Sequence, residues 1–159
     1  MVTTPRFVLV MRHAEKPRDP HDPHLSPSGA ARAKELARYI PESFGQPDFI
    51  FAAAPSKHSM RPHETVQPLS EQTGVPIDET YADQDYGALA ADLLSGSHTA
   101  GKQGVICWHH GNIPSLLHAL GAEDGGYPDP WKRDVFDLIL KVDFKDGGPP
   151  DVTGVNEPF

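Results

Sequence analysis

The chain has 159 residues, of which 38% are hydrophobic, enough for one domain around a single core and too apolar for a globally disordered chain. Its 22 acidic and 14 basic residues give a net charge of −8, which argues against nucleic acid or an anionic membrane surface as the main partner but leaves room for a local basic pocket. Cys107 is the only cysteine, so no intrachain disulfide can form, and it reads as a small hydrophobe in a buried strand. Thr3, Thr4, Pro5 and Arg6 break any apolar stretch near the start, and no run approaches membrane-spanning length. The expectation is a cytoplasmic protein with no membrane partner.

In chain order, Phe7-Val8-Leu9-Val10-Met11 is a continuous apolar run, the pattern of a strand buried on both faces. Residues 15–27, rich in Pro, Asp and His, read as a loop. Ser26 is then a candidate N-cap with Pro27 at the first helical position; Ala33, Leu36, Ala37 and Ile40 form one apolar stripe, and Pro41 is expected to stop the helix. Residues 48–52 form a second strand. Residues 56–73 read as a helix interrupted at Pro62 and Pro68 and ended by Gly74, with a short strand at 75–77. A helix is predicted at 88–94, a buried strand at 104–109 and a helix at 115–120 with Pro114 near its start. Residues 135–144 read as a last strand, a candidate edge. Residues 1–145 are taken as one domain; the Gly- and Pro-rich residues 146–159 are taken as a tail extending over the surface. Alternating strands and helices predict a three-layer α/β/α sandwich with a mostly parallel central sheet.

Two segments place histidines where apolar strands run out. Arg12-His13-Ala14-Glu15 follows the first strand, and Trp108-His109-His110-Gly111-Asn112 follows Gly104-Val105-Ile106-Cys107. In open α/β sheets, ligands bind beyond the carboxyl ends of strands. A phosphate monoester is dianionic, and arginine suits it because its planar fork spans two oxygens and stays charged. Arg12 ends the first strand and Arg61 lies just beyond the second. This set predicts a phosphate site with a nitrogen nucleophile.

With these residues in view, the chain resembles the histidine phosphatase (phosphoglycerate mutase-like) superfamily over roughly residues 6–144. The family's Arg-His-Gly motif stands here as Arg12-His13-Ala14, and its Leu-(Ser/Thr)-x-x-Gly motif as Leu25-Ser26-Pro27-Ser28-Gly29. Ser56, Arg61 and Thr65 resemble its Ser…Arg…Thr segment with one extra residue, and His110-Gly111 its late His-Gly pair. The resemblance implies that His13 is the nucleophile and that Arg12, Arg61 and His110 hold the phosphoryl oxygens. The mutase-type acid motif resembles Asp83-Gln84-Asp85-Tyr86-Gly87-Ala88-Leu89, which puts Asp83 at the acid position and Asp85 as the alternative. Lys16, Glu15, His109 and Asn112 are candidate substrate-binding residues, with Asn112 also a candidate cap for the helix near Pro114. Because neighbouring strand residues point to opposite faces, at most one of His109 and His110 is expected in the site, and the Gly111 spacing selects His110.

No metal and no cofactor is called for. His21 and His24 with Asp19 and Asp22 look like a ligand cluster, but Pro20 and Pro23 preclude a helical ligand face, and a polar rim loop is expected instead. Tyr127 and Trp131 either shape the rim or anchor their loop. The implied activity is metal-independent hydrolysis of a phosphate monoester through a phosphohistidine on His13, acting on a small phosphorylated substrate or a phosphoprotein. A mutase-type phosphotransfer, a phosphohistidine-protein phosphatase and a non-catalytic phosphate-binding protein of the same fold are the alternatives. Ala14 in place of glycine requires a negative φ, and the short chain leaves no room for a large cap over the site, which favours hydrolysis over mutase action. Oligomeric state is not legible.

Overall fold

The computed structural model describes residues 3–96 and 98–159. Its elements are strand β1 (Phe7–Arg12), helix α1 (Pro27–Phe44), β2 (Phe49–Ala52), α2 (Arg61–Thr73), β3 (Ile77–Asp78), α3 (Tyr86–Ser95), β4 (Gln103–Trp108), α4 (Ile113–Ala119), β5 (Leu138–Asp143) and β6 (Asp151–Asn156). Short 3₁₀ turns at Asp83–Asp85 and His110–Asn112 lead into α3 and α4. The six strands form one sheet in the order β3-β2-β4-β1-β5-β6. The β3, β2, β4 and β1 strands are parallel, while β5 and β6 run antiparallel to their neighbours.

Period-two alternation divides the central strands between two cores. Val8 and Val10 of β1, Phe51 of β2, Ile106 and Trp108 of β4 and Leu140 of β5 face the side covered by α3 and α4, with Leu89, Leu93, Leu116 and Leu117. Leu9, Met11, Ile50, Val105, Cys107 and Ile139 face the other side, against Leu36 and Ile40 of α1 and Val66 and Leu69 of α2. Burial on both faces is why β1 and β4 read as unbroken apolar runs. Cys107 is enclosed, and burial pushes its thiol well above the usual range, so it packs as a hydrophobe.

Three expectations change. Helix α1 runs through Pro41 to Phe44, because Phe44 packs against Tyr39 at the edge of the second core and the Gly45 N–H closes the last turn on the Pro41 carbonyl. The tail contains a strand: β6 pairs along the whole of β5, with Val152 opposite Val142 and Val155 opposite Ile139. Strand β5 is therefore interior, lying between β1 and β6, and β6 is the edge. Among the described residues no helix is long and apolar enough to cross a membrane.

The loop after β1 is braced by α1. Ser26 caps that helix by accepting from the Gly29 N–H, and its own N–H donates to the Glu15 carbonyl at 2.9 Å. Gly29 lies so close to Glu15 that a Cβ would meet the Glu15 carbonyl oxygen at 2.3 Å. Ser26 and Gly29 are thus needed where they stand, one to cap α1 and one to let it lie against the chain two residues beyond His13.

Candidate active site

In the parallel part of the sheet, Arg12 stands opposite Trp108 and Ala52 opposite Cys107, so β1, β2 and β4 end at one edge. A cleft of about 660 Å³ opens beyond them. Arg12, His13, Lys16, Arg61, Asp83, His109 and His110 all line it, together with Ser56, His58, Ser59 and Gln84. The hydrogen bond from the His13 N–H to the Trp108 carbonyl, 3.2 Å, prolongs the β1–β4 ladder and fixes where the chain turns away.

His13 is buried, and its Nδ1 lies 2.7 Å from the Ala14 carbonyl oxygen. A carbonyl cannot donate, so Nδ1 carries the proton and Nε2 keeps its lone pair. Burial pushes the ring's pKa down to about 3, against the Ala14 hydrogen bond and with help from Arg12, His109 and Arg61. Ala14 is buried with no positive φ, so the methyl that replaces the motif's glycine is accommodated; its N–H donates to Thr65 Oγ1 at 2.9 Å. Thr65 in turn donates to the Arg61 carbonyl at 2.7 Å, which ties the first turn of α2 to the segment after His13.

The two arginines are anchored by one nitrogen each. Arg12 Nη1 donates to the carbonyls of Arg133 (2.6 Å) and Val135 (3.3 Å), and its guanidinium lies 3.9 Å from the centre of the Phe136 ring. Its Nε and Nη2 are buried with no partner among the described residues. Arg61 Nη1 donates to the Asp22 carbonyl at 2.7 Å, and its Nε is likewise buried and unpartnered among them. Burial, with Arg61 close by, lowers the Arg12 pKa to about 10, so it remains a cation at neutral pH; burial also lowers that of Arg61. Buried N–H groups without acceptors are costly, and a dianionic oxyanion is a ligand that would satisfy them.

His109 and His110 both reach the cleft. Strand β4 ends at Trp108 and the chain tightens into the 3₁₀ turn, so the two-face alternation expected of a strand does not extend to these residues. The His109 ring lies edge-on to His13 with centroids 5.4 Å apart. Burial lowers the pKa of both, opposed in each case by the charge of Asp83.

Asp83 sits in the 3₁₀ turn before α3. Its Oδ2 accepts from Asn112 Nδ2 at 3.0 Å, its carbonyl accepts from Trp108 Nε1 at 3.0 Å, and its Oδ1 is buried without a partner among the described residues. Asp85 is exposed at the N-cap of α3 and makes no side-chain cap bond.

Two candidate substrate contacts are employed elsewhere. Glu15 does not line the cleft but is held by both oxygens on Arg32, at 3.0–3.1 Å, because that guanidinium lies beside it on α1. Asn112 neither lines the cleft nor caps α4 through its side chain, which turns to Asp83 instead. Lys16 is exposed on the rim. The loop histidines are pinned by neighbours: the His24 ring lies 2.7 Å from Glu64, and the His21 and His24 N–H groups bond Asp19 and Asp22; on α2, His63 pairs with Glu79. Trp131 anchors its loop by donating to the Val135 carbonyl at 3.0 Å, and Tyr127 is buried in the same core.

Sequence reasoning assigned no role to Thr65, although the motif containing it had been recognised, and it missed Phe136 and the Arg133 and Val135 carbonyls. Nothing local marks the last three, since they reach Arg12 from more than a hundred residues away.

The sequence matches no protein-family model and no curated protein. The fold has clear counterparts among solved structures. The protein histidine phosphatase SixA in complex with tungstate superposes with a TM-score of 0.67 at 13% identity, covering 94% of this chain and 96% of that one. Phosphoglycerate mutase from Plasmodium falciparum gives 0.63 at 12% identity over 94% and 89%. A mycobacterial glucosyl-3-phosphoglycerate phosphatase with inorganic phosphate gives 0.59 at 15% identity over 97% of each chain. The chain therefore has a phosphoglycerate mutase-like fold.

Proposed function

We propose that the protein is a histidine phosphatase that hydrolyses a phosphate monoester through a phosphohistidine on His13. The observation that carries this reading is the state of His13 itself: its Nδ1 proton is committed to Ala14, and burial beside two arginines keeps the ring neutral with the Nε2 lone pair available. The unpartnered nitrogens of Arg12 and Arg61 supply the fixed positive charge that phosphoryl transfer requires. His110, on the same cleft, is the further phosphoryl ligand.

In the first step Nε2 forms a bond to phosphorus as the bond to the ester oxygen breaks, and protonated Asp83 gives its proton to that oxygen. In the second, water attacks the phosphorus, the P–N bond breaks, and the Asp83 carboxylate takes the proton from water. His13 and Asp83 return to their starting states, and the products are an alcohol and inorganic phosphate.

The test is turnover of an aryl phosphate by the unsubstituted protein and by His13→Ala, with chelator present throughout. Turnover that survives the chelator and disappears in the variant is expected. Equal rates in both proteins refute the nucleophile. Phosphate binding without any turnover favours a non-catalytic phosphate-binding protein.

A second reading, a phosphohistidine-protein phosphatase, is favoured by the likeness to SixA over nearly the full length of both chains. A phosphorylated histidine leaves more readily than an alkoxide and needs less help from Asp83. The two readings separate on Asp83→Asn, which should strongly slow hydrolysis of an ester whose leaving oxygen needs a proton while sparing a phosphoramidate.

A further inference from the structure

Asn112 is positioned as though it served Asp83 rather than its own helix. It occupies the N-cap of α4, yet its side chain makes no cap bond. Its Nδ2 lies 3.0 Å from Asp83 Oδ2 and 3.4 Å from the Asp83 carbonyl oxygen. The carbonyl can only accept, so the amide must present its NH₂ end to both atoms. Oδ2 is then engaged as an acceptor and cannot direct a proton toward Asn112. The bond from Asn112 favours Oδ1, the oxygen that is buried and unpartnered among the described residues, as the carrier of the proton that Asp83 donates.

Trp108 completes the hold. Its Nε1 donates to the same Asp83 carbonyl at 3.0 Å, and the indole is fully buried at the end of β4. Asp83 is thus located from the β4–α4 segment, the stretch of chain that also carries His109 and His110. One stretch places the phosphoryl ligand and, through Asn112, the acid.

We infer that Asn112 is a positioning residue which fixes the Asp83 carboxyl by engaging Oδ2 and leaves Oδ1 to carry the proton given to the leaving oxygen. The inference rests on the reading of Asp83 as general acid, and the experiment separates the two. The kcat/KM of the unsubstituted protein, Asn112→Ala, Asn112→Asp and Asp83→Asn is measured on phenyl phosphate, whose leaving oxygen needs a proton, and on 2,4-dinitrophenyl phosphate, whose leaving group departs without one. Thermal unfolding of each variant confirms that it folds; loss of the Asn112 side chain removes no helix cap.

Asp83→Asn should slow phenyl phosphate by about 10²–10⁴-fold and leave the dinitrophenyl ester nearly unchanged. Asn112→Ala should show the same selectivity with a smaller loss of about 10–100-fold, the cost of a misplaced group. Asn112→Asp, which sets an acceptor against two acceptors, should lose at least as much on phenyl phosphate. An Asn112→Ala effect that is equal on both esters, or absent, while Asp83→Asn remains selective, overturns the role of Asn112 and leaves Asp83 in place. If Asp83→Asn is itself unselective, the acid assignment falls and the inference with it. If neither ester is turned over by the unsubstituted protein, the hydrolase reading falls and the inference falls with it.

Discussion

Glu157, in the segment after β6, gives the structure a pH dependence that can be worked out. Its side chain is 1% exposed and donates nothing; it accepts from Arg32 Nη1 at 2.9 Å, while Arg32 also holds Glu15. Arg32 favours the ionised carboxylate, but burial outweighs it, and Asp137 and Glu15 add repulsion, so the pKa rises from 4.5 to about 7. In the unfolded chain the group titrates at its ordinary value. Between the two pKa values the folded state holds a proton that the unfolded state has released, so stability falls as pH climbs through this window and the loss is complete above it. The shift corresponds to roughly 3 kcal/mol, or about 6–12 °C in Tm for a chain of this size. Glu157→Gln keeps the shape, and its amide oxygen can still accept from Arg32, but it does not titrate. Urea and thermal unfolding of both proteins from pH 4.5 to pH 8 should show matching stabilities at the acid end and a more stable variant at the alkaline end. Parallel profiles with a constant offset would refute the argument, since they would mean that Glu157 ionises in the folded protein without penalty.

Two further outcomes are expected. Gly29→Ala drives a methyl into the Glu15 carbonyl, and the strain should cost about 1–3 kcal/mol and lower kcat, because the displaced residue lies two positions from His13; unaltered unfolding and activity would show that α1 does not brace the loop. Nitrogen-15 NMR of the His13 ring should report the neutral Nδ1–H tautomer from pH 8 down to pH 5, since burial holds its pKa near 3; a doubly protonated ring at pH 6 would remove the case for a neutral nucleophile.

How far the fold was legible depended on burial. The β1 and β4 runs sit between two helical layers, so both faces must be apolar and the sequence displays it. Helix α1 was equally clear from its cap and stripe, except at its end: a proline in a helix forfeits one hydrogen bond, and only the core around Phe44 shows that the helix survives the loss. Strand β6, Asp-Val-Thr-Gly-Val-Asn, had no such signal. As an edge strand it is half exposed, it contains Gly154, and its identity depends on an antiparallel partner rather than on its own pattern.

In the candidate site the same division separates residues that line the cleft from residues that hold them. Arg12, His13, Arg61 and His110 were readable because their chemistry is unusual at strand ends and helix starts, Asp83 only because its motif resembles a family acid motif, and the fold gathers all five around one cleft. Glu15 and Asn112 were read as binders because they adjoin such residues, yet adjacency in sequence does not fix direction. Glu15 follows the guanidinium that α1 brings to it, and Asn112 follows two acceptors presented from 29 positions upstream. His109, a candidate substrate contact from the sequence, does line the cleft beside His110. Strand alternation, which admits only one of the two, holds only while the backbone stays extended, and β4 has ended one residue earlier. Burial lowers the pKa of both histidines, one lies edge-on to His13 and both feel Asp83, so the β4–α4 turn is a place where a single backbone change would alter His109, His110 and Asp83 together. Substitutions in this turn should therefore not behave additively with changes at Asp83.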